Sequence, residues 1–140
     1  MTELTELTAH ELARCIRDGE VSSHEVARTF LDRLDRTDRY HAFLDHRGER
    51  ALADAAAIDA ARDRGEPLGP LAGVPIAWKD NLVLRGEITS AGSRMLDGFR
   101  APYTATCLER LTAAGAVLLG RTNMDEFGMG SSTENSAYGP

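Results

Sequence analysis

The chain has 140 residues, 42% of them hydrophobic and 27% charged, with a net charge of −6. Those proportions are those of one ordinary globular domain. They exclude two classes: no run approaches the ~18 apolar residues of a bilayer span, and the arginines are scattered among acids rather than massed into a phosphate-gripping patch. The opening "MTELTELTAHEL" is acidic and lacks the basic and apolar regions of a secretory signal. A cytoplasmic protein without membrane contact, and without direct nucleic acid contact by this chain, is therefore expected.

The first third reads as two helices. Thr8 and Glu11 have the hydroxyl-to-carboxylate spacing of a capping box, Leu12, Ala13 and Ile16 follow on one face, and Gly19 is the expected stop. Ser22-Ser23-His24-Glu25 repeats the start signal, and Val26, Phe30, Leu31 and Leu34 form an amphipathic stripe. Residues 42–44, "AFL", are a short strand candidate. Residues 50–64 form an alanine-rich helix closed by Gly65.

The character changes at "GEPLGPLAGVP" (65–75), after which short apolar strands begin. "VPIAW" (74–78) is one; "TATCLERLTAAG" from Thr104 is a helix stopping at Gly115; "AVLLG" (116–120) is a further strand. Strand, helical connection and strand make the βαβ rhythm of an α/β sheet. The expected organisation is a helical region over 1–65 and the start of an α/β core over 66–140. The tail 128–140 is rich in Gly, Ser, Thr and Asn, and reads as a loop broken off in the middle.

One residue stands out by count. Fifteen of the sixteen basic residues are arginine, and Lys79, directly behind "VPIAW", is the single lysine. Arginine serves for any fixed surface charge but cannot give up its proton near neutrality, whereas a desolvated lysine can. Lys79 is thus a candidate general base, against the plainer reading of a lysine with buried stem and hydrated head. On a strand Asp80 points to the opposite face from Lys79, and Asp80-Asn81 are expected to form the turn at the strand's C-terminal end.

Other polar residues yield less. His41 and His46 lie five apart with no third ligand, and read as surface histidines. Cys15 and Cys107 are distant and lack metal or redox spacing, so they read as reduced thiols. Ser90, Ser93, Ser131 and Ser132 read as turn or cap residues with a site-lining role open; Asp125 and Glu126 read as solvated or capping acids. No phosphate-cradling glycine motif occurs.

"GVPIAWKDNL" (73–82), "TSAGSRMLDGF" (89–99) and the stretch from Ala101 to Pro140 resemble the amidase signature family, over essentially the whole chain. Within that family "GRTNMDEFGMGSSTENSAYGP" (120–140) is similar to the glutaminase subunits of tRNA-dependent amidotransferases, with Gly128 where those more often carry alanine. The resemblance implies N-terminal helices followed by the beginning of a mixed, largely parallel amidase-type sheet covered by helices, an incomplete α/β fold. It implies that Lys79 is the lysine of a Ser–cis-Ser–Lys triad, with Met129, Gly130 and Ser131 beside the substrate amide. Both triad serines lie downstream in that family, so the chain reads as an N-terminal fragment, inactive alone. Glutamine is the implied substrate and ammonia the product passed on. No cofactor is implied for this chain; ATP and Mg would be used by a tRNA-binding kinase subunit, with a small third subunit completing a heterotrimer. A stand-alone amidase acting on small amides and a non-catalytic binding module are the alternatives.

Overall fold

The computed structural model describes residues 3–140. In chain order it holds α1 (Ala9–Arg17), α2 (Ser23–Thr37), β1 (Phe43–His46), α3 (Gly48–Asp63), β2 (Pro75–Lys79), α4 (Thr106–Ala113) and β3 (Val117–Thr122). This is the expected α/β class, four helices with a small mixed sheet in the order β1-β3-β2.

The chain divides into two compact units whose segments alternate along the sequence. One takes the chain up to Arg36, then Arg47–Ile76 and Arg110–Leu119; the other takes Thr37–His46, Ala77–Glu109 and Gly120–Pro140.

In the first unit the expected capping box starts α1: Thr8 Oγ1 accepts from the Glu11 amide at 3.3 Å, and the Glu11 carboxylate accepts from the Thr8 amide at 2.7 Å. These contacts satisfy donors that a helix start leaves unpaired. The apolar face of α1 buries Leu12 and Ile16 against Val26 of α2, with Leu4, Leu7, Val21 and Phe30 around them. Ile16 and Val26 are fully buried, each worth about 1.5–3 kcal/mol relative to exposure.

The Ser22 hydroxyl caps α2 by accepting from the Glu25 amide at 2.9 Å. A second cap comes from α3: the Asp59 carboxylate accepts from the amides of Ser23 at 2.7 Å and His24 at 3.0 Å. Three residues on, Arg62 donates to the carbonyls of Ile16 at 3.1 Å and Val21 at 3.3 Å. The helix α3 begins two residues earlier than the sequence pattern places it. Its Ala51 and Ala55, one turn apart, are fully buried and pack with Ala27, Leu31, Val117 and Leu119. Methyl-sized side chains at those positions let the helix lie close to its neighbours. Gly73 precedes β2 at φ +77°, where an added Cβ would sit 2.7 Å from both Ile16 Cδ1 and Ser23 Oγ.

Two strands run past the C-terminal ends of their apolar runs. β2 takes in Lys79 as its last residue, and β3 runs through Arg121 and Thr122. The apolar run of β3 is buried on both faces, while within β2 only Trp78 is buried; the strand ends are fixed by pairing. The Val117 amide donates to the Val74 carbonyl at 2.9 Å, and the Asp80 amide to the Thr122 carbonyl at 3.2 Å. Partners advance together, so β2 and β3 run parallel. In the second unit β1 pairs antiparallel with β3, Phe43 opposite Thr122, Asp45 opposite Arg121 and His46 opposite Gly120, with an irregularity between Phe43 and Asp45.

Candidate functional site

Lys79 closes β2 as an exposed side chain, while Trp78 before it and Asp80 after it are buried. The alternation is the strand period of two. Its carbonyl accepts from the Leu82 amide at 2.8 Å, so the chain turns directly after the strand. Asp80 and Asn81 lie in that turn, as the sequence suggests. Among the described residues the walls of a desiccated lysine pocket do not occur: the amine is open to water rather than enclosed by the "VPIAW" run.

Asp80 is the feature that the sequence did not disclose. It is fully buried and each carboxylate oxygen holds two donors. Oδ1 accepts from the Ser90 amide at 2.9 Å and from Arg121; Oδ2 accepts from the Gly92 amide at 2.9 Å and from the Ser90 hydroxyl. Arg121 in turn donates to Asp45 at 2.7 Å, so one guanidinium joins residues of β1 and the β2 turn from its place on β3. Burial alone lowers the affinity of that guanidinium for its proton, but the hydrogen bonds and charges of Asp45 and Asp80 outweigh it and shift the group upward. The sequence signal for this cluster, an arginine directly behind the apolar run of β3, is weak, since Lys79 holds the equivalent place behind its own apolar run and is exposed.

The tail is built on a second carboxylate. Asp125 accepts from the amides of Thr133 at 2.9 Å, Asn135 at 3.1 Å and Ser132 at 3.2 Å, and from the Asn135 side chain at 3.2 Å. The Thr133 amide leads the hydrogen bonds that, against the opposing effect of desolvation, hold its carboxyl below the usual range. Asp125 is buried and caps a loop; the alternative of a solvated acid does not hold. Glu126 accepts from the buried Ser93 hydroxyl at 2.6 Å, and Ser93 also caps a 3-10 turn through the Met95 amide. Ser132 donates to Glu134 at 2.6 Å.

Met129, Gly130 and Ser131 therefore form an exposed loop between anchored ends. Gly130 packs directly on the Asp125 side chain, leaving no room for a Cβ. The segment 89–93 touches both parts of the site. Asp80 holds Ser90 and Gly92; the Ala91 carbonyl accepts from the Phe127 amide at 2.8 Å, and the Gly92 carbonyl from the Ala137 amide at 2.8 Å. Lys79 and the 129–131 loop are thus linked through one short stretch of backbone. Ala91 and Phe127, both of them non-glycine, lie at φ +51° and +52°, a conformation that persists where surrounding contacts over-determine it.

A cleft of about 400 Å³ is lined by Tyr40, His41, Thr122, Asn123, Ser132 and Thr133, and does not include Lys79. Among the described residues no group of three or more His, Cys, Asp or Glu is arranged to hold a metal ion, and no helix is long and apolar enough to cross a membrane. Cys15 is buried and Cys107 exposed, both free thiols.

The amidase family model matches residues 25–140, so the chain belongs to the amidase family. It is 58% identical over its whole length to the A subunit of the glutamyl-tRNA(Gln) amidotransferase of Salinispora arenicola (strain CNS-205), and 53% identical to that of Thermobifida fusca (strain YX). It spans 29% and 28% of those relatives, under a third of their length. Among solved structures it is similar to a vestigial protein complex that reveals the evolutionary origins of an s-triazine catabolic enzyme, at TM-score 0.91 and 43% identity over 96% of this chain and 30% of that one. The native peptide amidase of Stenotrophomonas maltophilia matches at TM-score 0.80 and 37% identity, over 87% of this chain and 26% of that one.

Proposed function

We propose that this chain is the lysine-bearing part of the glutamine-hydrolysing subunit of a tRNA-dependent amidotransferase, which supplies ammonia for converting Glu-tRNA(Gln) to Gln-tRNA(Gln). The observation that carries the reading is the 58% identity, over all of the chain, to the A subunit of a glutamyl-tRNA(Gln) amidotransferase. Lys79 at the end of β2 is the base of a Ser–cis-Ser–Lys mechanism. As a neutral amine it takes a proton through the bridging serine, which activates the nucleophilic serine. That serine attacks the glutamine amide carbonyl, ammonia leaves, and water releases glutamate from the acyl-enzyme. Both serines belong to sequence beyond residue 140, and the 140-residue chain alone is inactive.

The role demands a dry amine, and Lys79 is exposed within residues 3–140. Its desolvation is therefore assigned to sequence or subunits that cover the end of β2. The loop Met129–Gly130–Ser131 takes the substrate side. Ammonia passes to a tRNA-binding kinase subunit that uses ATP and Mg, with a small third subunit holding the assembly, in the cytoplasm.

The test is Lys79→Arg in the intact, assembled protein. Charge is kept but the neutral amine is lost, and glutamine hydrolysis should fall about a thousandfold or more, the scale of losing one member of a catalytic triad. Wild-type turnover in that variant sinks the mechanism. The peptide amidase likeness at 37% identity favours a second reading, a stand-alone amidase. Turnover of simple amides without partner subunits, and none of glutamine, would select it.

A further inference from the structure

We infer that Asp80 is the positioning residue for Lys79: its carboxylate fixes the backbone from which the lysine projects, without touching the amine. The inference rests on the amidase reading of Lys79 for its catalytic consequence and on the geometry for the placement itself.

The geometry is specific. Asp80 follows Lys79 directly and points to the other face, into full burial. Its two oxygens carry two donors each, from Ser90, Gly92 and Arg121, which fills the acceptor capacity of a carboxylate. No lone pair is left for the ammonium of Lys79, so Asp80 does not act as its ion-pair partner. The backbone is held as well: the Asp80 amide donates to Thr122 at 3.2 Å, and its carbonyl accepts from the Ala91 amide at 3.3 Å. Residue 80 is therefore fixed by side chain, amide and carbonyl at once, and the Cα of Lys79 is one peptide away.

The charge is managed in the same cluster. Arg121 lies against Asp80 and is itself nearly fully buried. The guanidinium offsets the carboxylate's charge inside the cluster, so the pair acts by holding one geometry. A well-packed apolar side chain would end the strand without the desolvation penalty of a buried ion pair. The residues chosen instead specify one geometry, at the strand terminus that carries the single lysine.

The experiment uses the intact protein with its partner subunits. Lys79→Arg against wild type establishes whether the lysine acts in glutamine hydrolysis. Asp80→Asn should then lower kcat by roughly ten- to a hundredfold, the scale of a small misplacement of a reacting group, with KM for glutamine within about twofold, after correction for the folded fraction. A wild-type kcat, or a loss confined to KM, overturns the inference. If Asp80→Asn does not fold, Ser90→Ala decides, since it removes one donor and no charge. It should give a smaller kcat loss at unchanged KM, and an unchanged kcat overturns the inference. A second readout is independent of activity. With 15N-lysine labelling, the Lys79 amide, assigned by its disappearance in Lys79→Arg, should be one sharp resonance in wild type and broadened or split in Ser90→Ala. An undisturbed resonance refutes the placement even where no glutaminase activity is found.

Discussion

Asp59 on α3 caps the start of α2 by taking the Ser23 amide at 2.7 Å, across 36 residues of sequence. The same carboxylate takes the His24 amide and lies 3.4 Å from Arg62. A helix terminus that its own cap, Ser22, satisfies only in part is completed by a neighbouring helix. Asp59→Ala should therefore destabilise the fold by about 1–2 kcal/mol, the scale of a lost N-cap. A lower urea midpoint at unchanged slope is the expected signature. A midpoint equal to wild type would mean that water replaces Asp59 without loss.

Gly73 is locked by both space and backbone. Its φ of +77° favours glycine, and an added methyl would press on Ile16 and Ser23 at 2.7 Å. Gly73→Ala should cost roughly 2–4 kcal/mol from overpacking and strain together. Thermal unfolding reads the effect, and a melting temperature like that of wild type would show that the α1–α2 connection yields freely.

Breaking the buried ion pair should cost more than either. Arg121→Met leaves the Asp80 carboxylate buried without its cation, and removal of one partner of such a pair costs about 3–5 kcal/mol. Adding Asp80→Leu to Arg121→Met removes the stranded charge and should recover much of that loss. If the double variant is no more stable than the single, the hydrogen bonds to Ser90 and Gly92, rather than the charge, govern the site.

The tail should loosen in acid. The folded-state pKa of Asp125 is depressed, chiefly by the Thr133 amide. Its contribution to stability is therefore fully present above the ordinary carboxylate pKa of about 3.9, and is lost as pH falls below that value and through the folded pKa. Hydrogen exchange at Ser132, Thr133 and Asn135, corrected for its intrinsic acid dependence, should show protection falling over that window. Asp125→Asn should remove the pH dependence. Protection that stays constant down to about pH 2, well below the ordinary carboxylate range, would contradict the role.

The sequence made the helices readable because their signals are local. Thr8 and Glu11 lie three apart, and the stripe from Val26 to Leu34 closes on one face. Lys79 was singled out for a different reason, its uniqueness among fifteen arginines. What stayed hidden is non-local. Asp59 finds Ser23, Arg121 finds Asp45 and Asp80, and Asp125 collects amides up to ten residues ahead. No periodicity encodes such pairs; each depends on which strand or loop the fold brings alongside. The enclosure expected for Lys79 was read from the apolar run before it, yet a strand sends alternate residues to opposite faces. Trp78 took the buried side and left Lys79 on the open one.

That exposure has a practical consequence. Within these 140 residues an amine-reactive fluorophore has a single side-chain target, Lys79, which it must tell apart from the α-amino group of whichever residue begins the chain. Amines of those two kinds ordinarily differ enough in basicity to be labelled selectively. A dye attached to Lys79 would sit at the tip of β2. Its quenching or emission shift on titration would register any molecule that settles over that tip, and an equilibrium constant could be drawn from the curve.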